Sequence, residues 1–375
     1  MIITTRGMEH DTMSTSVTAP RRGTRIAFAL ALAACVALLG MLVQPHRPTL
    51  STVVTGDAAL AARVRPYLQG TFDRVSVATV DGDTVTSANF GATDATEYEI
   101  GSITKTFTAL LLADAIERGE VTADTRVGEL LPLAGSAIAD VTLAELASHR
   151  SGLPRQSTRL QDVIQLDLLY LANRDPYVQD RDGVIARARA ATLRNRGRVS
   201  YSNLGIALLG QALASAGRMD YAHLVQERIF RPLGMTSSSV PVTAAKLPDG
   251  APTGYSVGGE RAAPWTMNGT APGGGIRSTA ADMVRYAQAL LDGTAPGLDA
   301  LTPHWTAFVG RQKIGYAWVT EERDGRVLTW HTGATGGFSS MLVLDRVNHR
   351  AVIILANTSD APLRDAGMKL IGELQ

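Results

Sequence analysis

The strand-forming sequence of this chain comes in two parts, with a long helical stretch between them, and that layout restricts the fold more than any other feature. The first part reads "VSVATV", then "DGD", then "TVTSANF", from Val75 to Phe90. Asp-Gly between β-prone runs is a hairpin signal. The second part holds the runs "IGYAWVTE", "RVLTWHTG", "SSMLVLDR" and "RAVIILAN", joined by short polar links such as "RDG" and "VNH". Sequential strands with short links imply an antiparallel sheet. Between the two parts the text reads helical: "TLAELASH", "LQDVIQLDLLYLAN", "GVIARARAATL", "LGIALLGQALAS" and "AHLVQERIF". The expected class is α+β, an antiparallel sheet flanked by helices. Residues 61–125 and 266–375 build the α/β domain, and residues 126–265 form a mostly helical inserted domain.

Several function classes fall away on composition. The formal charge is +1 and the arginines are scattered, so there is no basic footprint for nucleic acid. A single cysteine, Cys35, allows no intrachain disulfide, and the seven histidines show no paired metal-binding spacing. No metal and no organic cofactor is expected. With 45% hydrophobic residues over 375 positions, the chain can bury a sizeable core.

The N-terminus reads separately from the fold. A polar tail over residues 1–25 leads into Ile26–Val43, an uncharged run of 18 residues, just long enough for a transmembrane helix. Arg21, Arg22 and Arg25 precede it and only Arg47 follows closely. The positive-inside rule then puts the tail in the cytoplasm and the rest outside, after a linker over 44–60. A cleaved signal segment would instead release a secreted protein, and "LAAC" up to Cys35 resembles a lipoprotein acylation box.

Chemistry concentrates in three short motifs. In "EIGSITKTF", Ser102 and Lys105 lie one helical turn apart, just before an apolar helical run. The chain has only four lysines, so this one is unusual company for a serine. A serine needs a base and a place for oxyanion charge to become a nucleophile, and a desolvated lysine beside a helix N-terminus offers both. In "VSYSNLG", Tyr201 and Asn203 point the same way on an extended segment. A phenol beside an ammonium ionises more readily, and an amide can grip a substrate carbonyl. In "TWHTGATGGF", His331, Thr332, Gly333 and Ala334 fall at a strand end, where a small residue allows close approach of a substrate. Each motif alone also fits a helix start, a capped loop or a glycine turn.

Taken together and in this order, S-x-x-K, Y-x-N and H-T-G resemble the serine β-lactamase and penicillin-binding protein family. The resemblance extends to "ELASHRSGLPR", "ERIFRPLGM", "APGGGIRSTAADMVRYAQALL" and "ILANTS", over about residues 60–360. It is specific to the branch of class C β-lactamases, D-alanyl-D-alanine carboxypeptidases and related esterases. The resemblance implies a β-lactamase/transpeptidase-like fold and an acyl-enzyme on Ser102, with Lys105 and Tyr201 as the proton-transfer pair. It implies an oxyanion hole from the N–H groups of Ser102 and Ala334, with Asn203, His331, Thr332 and Gly333 binding substrate. Class C enzymes begin the third motif with lysine, whereas this chain has His331, only partly charged at neutral pH. Val319 falls where the carboxypeptidase carries a basic residue, and Arg323 is not clearly equivalent. The expected substrates are D-alanyl-D-alanine peptides or other amides and esters. A class C-type β-lactamase, a family esterase, or a membrane-anchored penicillin-binding sensor with little turnover are the alternatives. His149 is expected to be structural, and Gly273–Gly275 to wall the cleft.

Overall fold

The computed structural model describes residues 30–36, 38, 47–157, 159–248, 250–308, 310–359 and 361–374. Residues 47–375 form one compact unit. The 26–43 segment lies largely outside the described residues. Residues 30–36 and 38 are helical and exposed, and among the described residues no helix is long and apolar enough to cross a membrane.

The hairpin forms as the sequence predicts. Strand β2 (Val75–Asp81) turns through Gly82 and Asp83 into β3 (Thr84–Phe90), with Asp81 opposite Thr84. Gly82 takes φ +57, the left-handed value such a tight turn requires. An edge strand β1 (Val54–Gly56) pairs with β3, and helix α1 (Ala58–Val64) follows it, so residues 54–60 are structured where the sequence reads as linker. Val54–Gly56 is too short to show alternation. It becomes a strand because Phe90, Asn89 and Ala88 offer it a free edge.

The second part supplies β4 (Trp305–Thr306), β5 (Lys313–Ile314), β6 (Val319–Arg323), β7 (Arg326–Ala334), β8 (Ser339–Asp345) and β9 (Arg350–Ala356). All join one antiparallel sheet in the order β1-β3-β2-β9-β8-β7-β6-β5-β4. The joining contact is β9 against β2, with Ile353 opposite Ala78, so the two distant parts of the sequence meet inside the sheet as its third and fourth strands. The "IGYAWVTE" run is not one strand. Ala317 takes φ +60 and donates its N–H to Ala147 O, which breaks the ladder and seats Trp318 in the core.

Side chains alternate across the sheet. On β9, Ala351, Ile353 and Leu355 face one cluster, while Val352, Ile354 and Ala356 face the other. The second cluster is closed by α1 and the terminal helix Leu363–Glu373. The first takes in the helical segment and the central helix α2 (Thr104–Glu117). The sequence suggests one buried face for α2. The structure buries it on every side from Thr104 to Ala115, because Thr106 and Thr108 hydroxyls pair with Tyr286 and Tyr221 in its core.

Candidate active site

Ser102 lies in a single 3-10 turn, Gly101–Ile103, that leads directly into α2. This winding brings Lys105 back over it, with Lys105 Nζ 2.9 Å from Ser102 Oγ. Lys105 is fully buried and also donates to the carbonyl of Gly273. The glycine run expected to wall the cleft therefore supplies a hydrogen-bond acceptor as well. Burial, with the Arg155 guanidinium nearby, holds the lysine well below its usual range. A buried ammonium without a carboxylate partner loses more hydration than one carbonyl returns, so the neutral amine is favoured.

Tyr201 and Asn203 flank Ser202, the N-cap of helix α3 (Asn203–Ala216), whose hydroxyl accepts the N–H of Gly205 at 2.9 Å. The cap fixes the backbone that presents its two neighbours to the cleft. Tyr201 OH donates to Ser102 Oγ at 2.8 Å. Lys105 Nζ lies 5.0 Å and Arg155 Cζ 5.5 Å from the centroid of its ring. The sequence expectation was a phenol made more acidic. Burial reverses it and pushes Tyr201 up to about 12, against the opposing pull of its bond to Ser102 and of Arg155. The proton thus rests on the tyrosine, and the vacancy for one is on the lysine. Asn203 Nδ2 donates to Tyr177 OH at 3.2 Å, and Gln156 Nε2 donates to the same oxygen at 2.8 Å.

The third motif runs along the end of β7. Gly333 abuts the loop that carries Ser102: a Cβ there would fall 1.9 Å from Ile100 O. The small residue is required by the protein's own backbone, whose Ile100 carbonyl also accepts Ser340 Oγ–H at 2.8 Å. Gly101, at φ +49, also packs closely on Ala334, where a Cβ would fall 2.6 Å from its N, so the segments bearing the Ser102 and Ala334 N–H groups run side by side. His331 departs from its expected partial charge. Burial first, then Lys105, pushes it down to about 4, although its Nδ1–H donates to Thr332 O at 2.6 Å. It is a neutral wall of the cleft.

A cleft of about 780 Å³ opens over these groups. Ser102, Tyr201, Asn203, His331, Thr332, Gly333 and Ala334 all line it, so the structure gathers the sequence-predicted residues around one cavity, with Lys105 beneath Ser102. Val319 lines it too, whereas Arg323 sits at the far end of the β6–β7 hairpin, opposite Arg326. The cations on the wall are Arg155 and Arg364, the latter stacked over Trp330 at 4.6 Å and bonded to Glu321. Sequence reasoning missed Arg155, Gln156, Tyr177 and Arg364. The first two directly follow "SGLP", and that position was their only signal; Tyr177 and Arg364 had none. His149, expected to be structural, accepts the Ser202 N–H at Nδ1 at 3.2 Å and packs its ring 4.6 Å from Tyr201, and it also lines the cleft.

Comparison with known proteins places this geometry. The sequence profile described as Beta-lactamase matches residues 60–374. Penicillin-binding protein 4 of Amycolatopsis lactamdurans is 28% identical over 309 residues, covering 74% of this chain and 77% of the relative. Beta-lactamase-like protein 2 of Dictyostelium discoideum is 34% identical over 217 residues, covering 54% of this chain, which spans only 37% of that relative's length. Among solved structures, a beta-lactamase/D-alanine carboxypeptidase from Pseudomonas syringae superposes with a TM-score of 0.72 at 19% identity, covering 85% of this chain and 100% of the other.

Proposed function

Because this chain belongs to the β-lactamase family and is a serine hydrolase of that family, we propose that it opens amide or ester bonds through an acyl-enzyme on Ser102, outside the cytoplasmic membrane. One observation carries the reading: Ser102 Oγ lies 2.9 Å from a buried lysine amine and 2.8 Å from a tyrosine hydroxyl. The Ser102 proton passes to Lys105, whose lone pair burial keeps available, as Oγ bonds to the substrate carbonyl carbon. The N–H groups of Ser102 and Ala334 hold the resulting oxyanion. When the intermediate collapses, the departing nitrogen or oxygen takes the Tyr201 proton, and Lys105 returns its proton to Tyr201. Water then releases the acyl group by the same path in reverse. The two groups share one proton network and titrate as a unit.

Asn203, held by Tyr177, orients the acyl-side amide. Thr332 faces the far end of the substrate, beside a neutral His331. A terminal carboxylate therefore finds its charge partner in Arg155 on the cleft wall, since the other guanidinium there, Arg364, is already paired with Glu321. D-alanyl-D-alanine peptides fit this arrangement, and so do esters and β-lactams carrying a carboxylate. The names of the relatives, a penicillin-binding protein among them, support placing peptides of this kind first. The apolar Ile26–Val43 run supports membrane anchoring with the catalytic unit outside.

The test labels the protein with a fluorescent penicillin and a fluorophosphonate, in wild type and Ser102→Ala, beside turnover of an ester and a D-alanyl-D-alanine peptide. Labelling should vanish in the alanine variant, and the substrate turned over names the branch. Labelling that persists would remove Ser102 from the mechanism. Stoichiometric labelling without turnover of any substrate would replace the hydrolase with a penicillin-binding sensor.

A further inference from the structure

We propose that helix Leu160–Leu171 lies on the surface of a lipid bilayer and opens the cleft at that surface. This rests on reading residues 26–43 as bilayer-inserted. The helix has 12 residues and none is buried. Leu160, Val163, Ile164, Leu168 and Leu171 follow one helical stripe and stand 74%, 38%, 49%, 62% and 78% exposed. Isolated exposed apolar residues are ordinary, but a contiguous stripe of five marks a surface that something covers. The opposite side is fastened to the protein. Asp162 pairs with Arg187 at 3.2 Å, Tyr170 meets the edge of Trp265 at 6.4 Å, and Leu166 and Tyr170 line the cleft, while Asp167, exposed within the stripe, also reaches the cleft mouth. Arg159 and Arg174 bracket the helix, both exposed, and neither forms an ion pair among the described residues. An apolar stripe between basic ends suits an interface with anionic headgroups.

The path of the chain favours lipid over another occupant. The apolar run of the sequence stops at Val43, and the compact unit begins at Arg47. Four Cα steps span at most roughly 14 Å, so a bilayer holding the run holds the unit against its surface. Arg47 packs on Gly259, and the adjoining Ser256–Gly258 turn shares a hollow with Tyr170, Asn173 and Arg174. The point of attachment and the C-terminal end of the exposed helix are thus on the same side of the unit. Val257, in that turn, is exposed and lines the same hollow. A substrate bound beside Leu166 and Tyr170 would enter from the membrane surface rather than from bulk solution.

The experiment uses the full chain with Cys35→Ser, carrying one new cysteine labelled with bimane: Ile164→Cys, Leu168→Cys, or Val347→Cys as control. Val347 is 77% exposed in the turn after β8, at the end of that strand away from the cleft. Each protein is reconstituted into phosphatidylcholine–phosphatidylglycerol liposomes with and without brominated acyl chains. The chain should float with the liposomes, and bromolipid should quench the probes at 164 and 168 while leaving 347 bright. Flotation without quenching at 164 and 168 overturns the docking but keeps the anchor. In that case a blue-shifted probe means that protein, a second copy or the chain's own apolar run, covers the stripe. Failure to float overturns the anchor and the docking together.

Discussion

Helices Thr104–Glu117 and Leu160–Leu171 both read from the sequence as apolar helices following a polar turn, yet they lie at opposite extremes of burial. The first is buried along nearly its whole length and contains a lysine and three threonines among its buried positions. The second buries nothing and carries leucines in the open. Apolar content therefore does not set depth here. What distinguishes α2 is that each buried polar group has a partner: Thr106 with Tyr286, Thr108 with Tyr221, Lys105 with Gly273 and Ser102. A polar group at the centre of a fold must be paired there, and that requirement builds the active site into the core.

The sharpest way to break the comparison is Lys105→Met. A thioether fills the space of the stem but takes no proton, so acylation by a fluorescent penicillin or an activated ester should slow by about 10²–10⁴-fold. Thermal stability should not fall with it, because the change removes a buried amine instead of stranding one. Equal losses of stability and activity would make Lys105 a structural residue. Next in size, Leu110→Ala, at a fully buried position of α2, should cost about 2–5 kcal/mol in denaturant unfolding.

Acid sharpens the same contrast. His331 is held at about 4 in the folded protein against an ordinary 6.5, chiefly by burial. Between those values the unfolded chain binds the proton and the folded chain does not, so stability falls as pH drops from about 6.5 to about 4 and levels off below. His149, lowered for the same cause, acts in the same direction. His331→Gln should remove a part of that slope on the order of 3 kcal/mol, seen by comparing melts of variant and wild type at pH 7 and pH 4. An unchanged slope would mean that the ring is hydrated in solution and charges freely.

The cluster of Ser102, Lys105 and Tyr201 was legible because its spacing is local: an i, i+3 pair, and a residue beside a helix cap. So was the hairpin, which one Asp-Gly turn dictates. Two kinds of feature were not. Protonation depends on depth, which periodicity does not report, so the sequence left the choice between Tyr201 and Lys105 open and only burial favours the neutral amine and the protonated phenol. Contacts across the chain were equally hidden. Gly333 is small because of Ile100, and Asn203 is held by Tyr177, neither of which its own neighbours announce. Strand β1 and the break at Ala317 likewise follow from what the sheet edge and the core offer, not from their own residues.

The smallest expected effect belongs to the outer helix. Ile164→Gln and Leu168→Gln should each change unfolding free energy by no more than about 0.5 kcal/mol, since neither side chain leaves a cavity when replaced. Turnover of a small, water-soluble ester should also stay at the wild-type rate, because neither residue lines the cleft. Glutamine in place of a leucine that packs in solution would instead cost several times as much, through lost transfer energy and an unsatisfied amide. A large loss at Leu168 comparable to that at Leu110 would thus erase the difference between the two helices and place a protein surface over the stripe. A small loss, beside intact turnover, leaves the leucines exposed for a reason outside the stability of the fold, because the unit gains nothing from keeping them there.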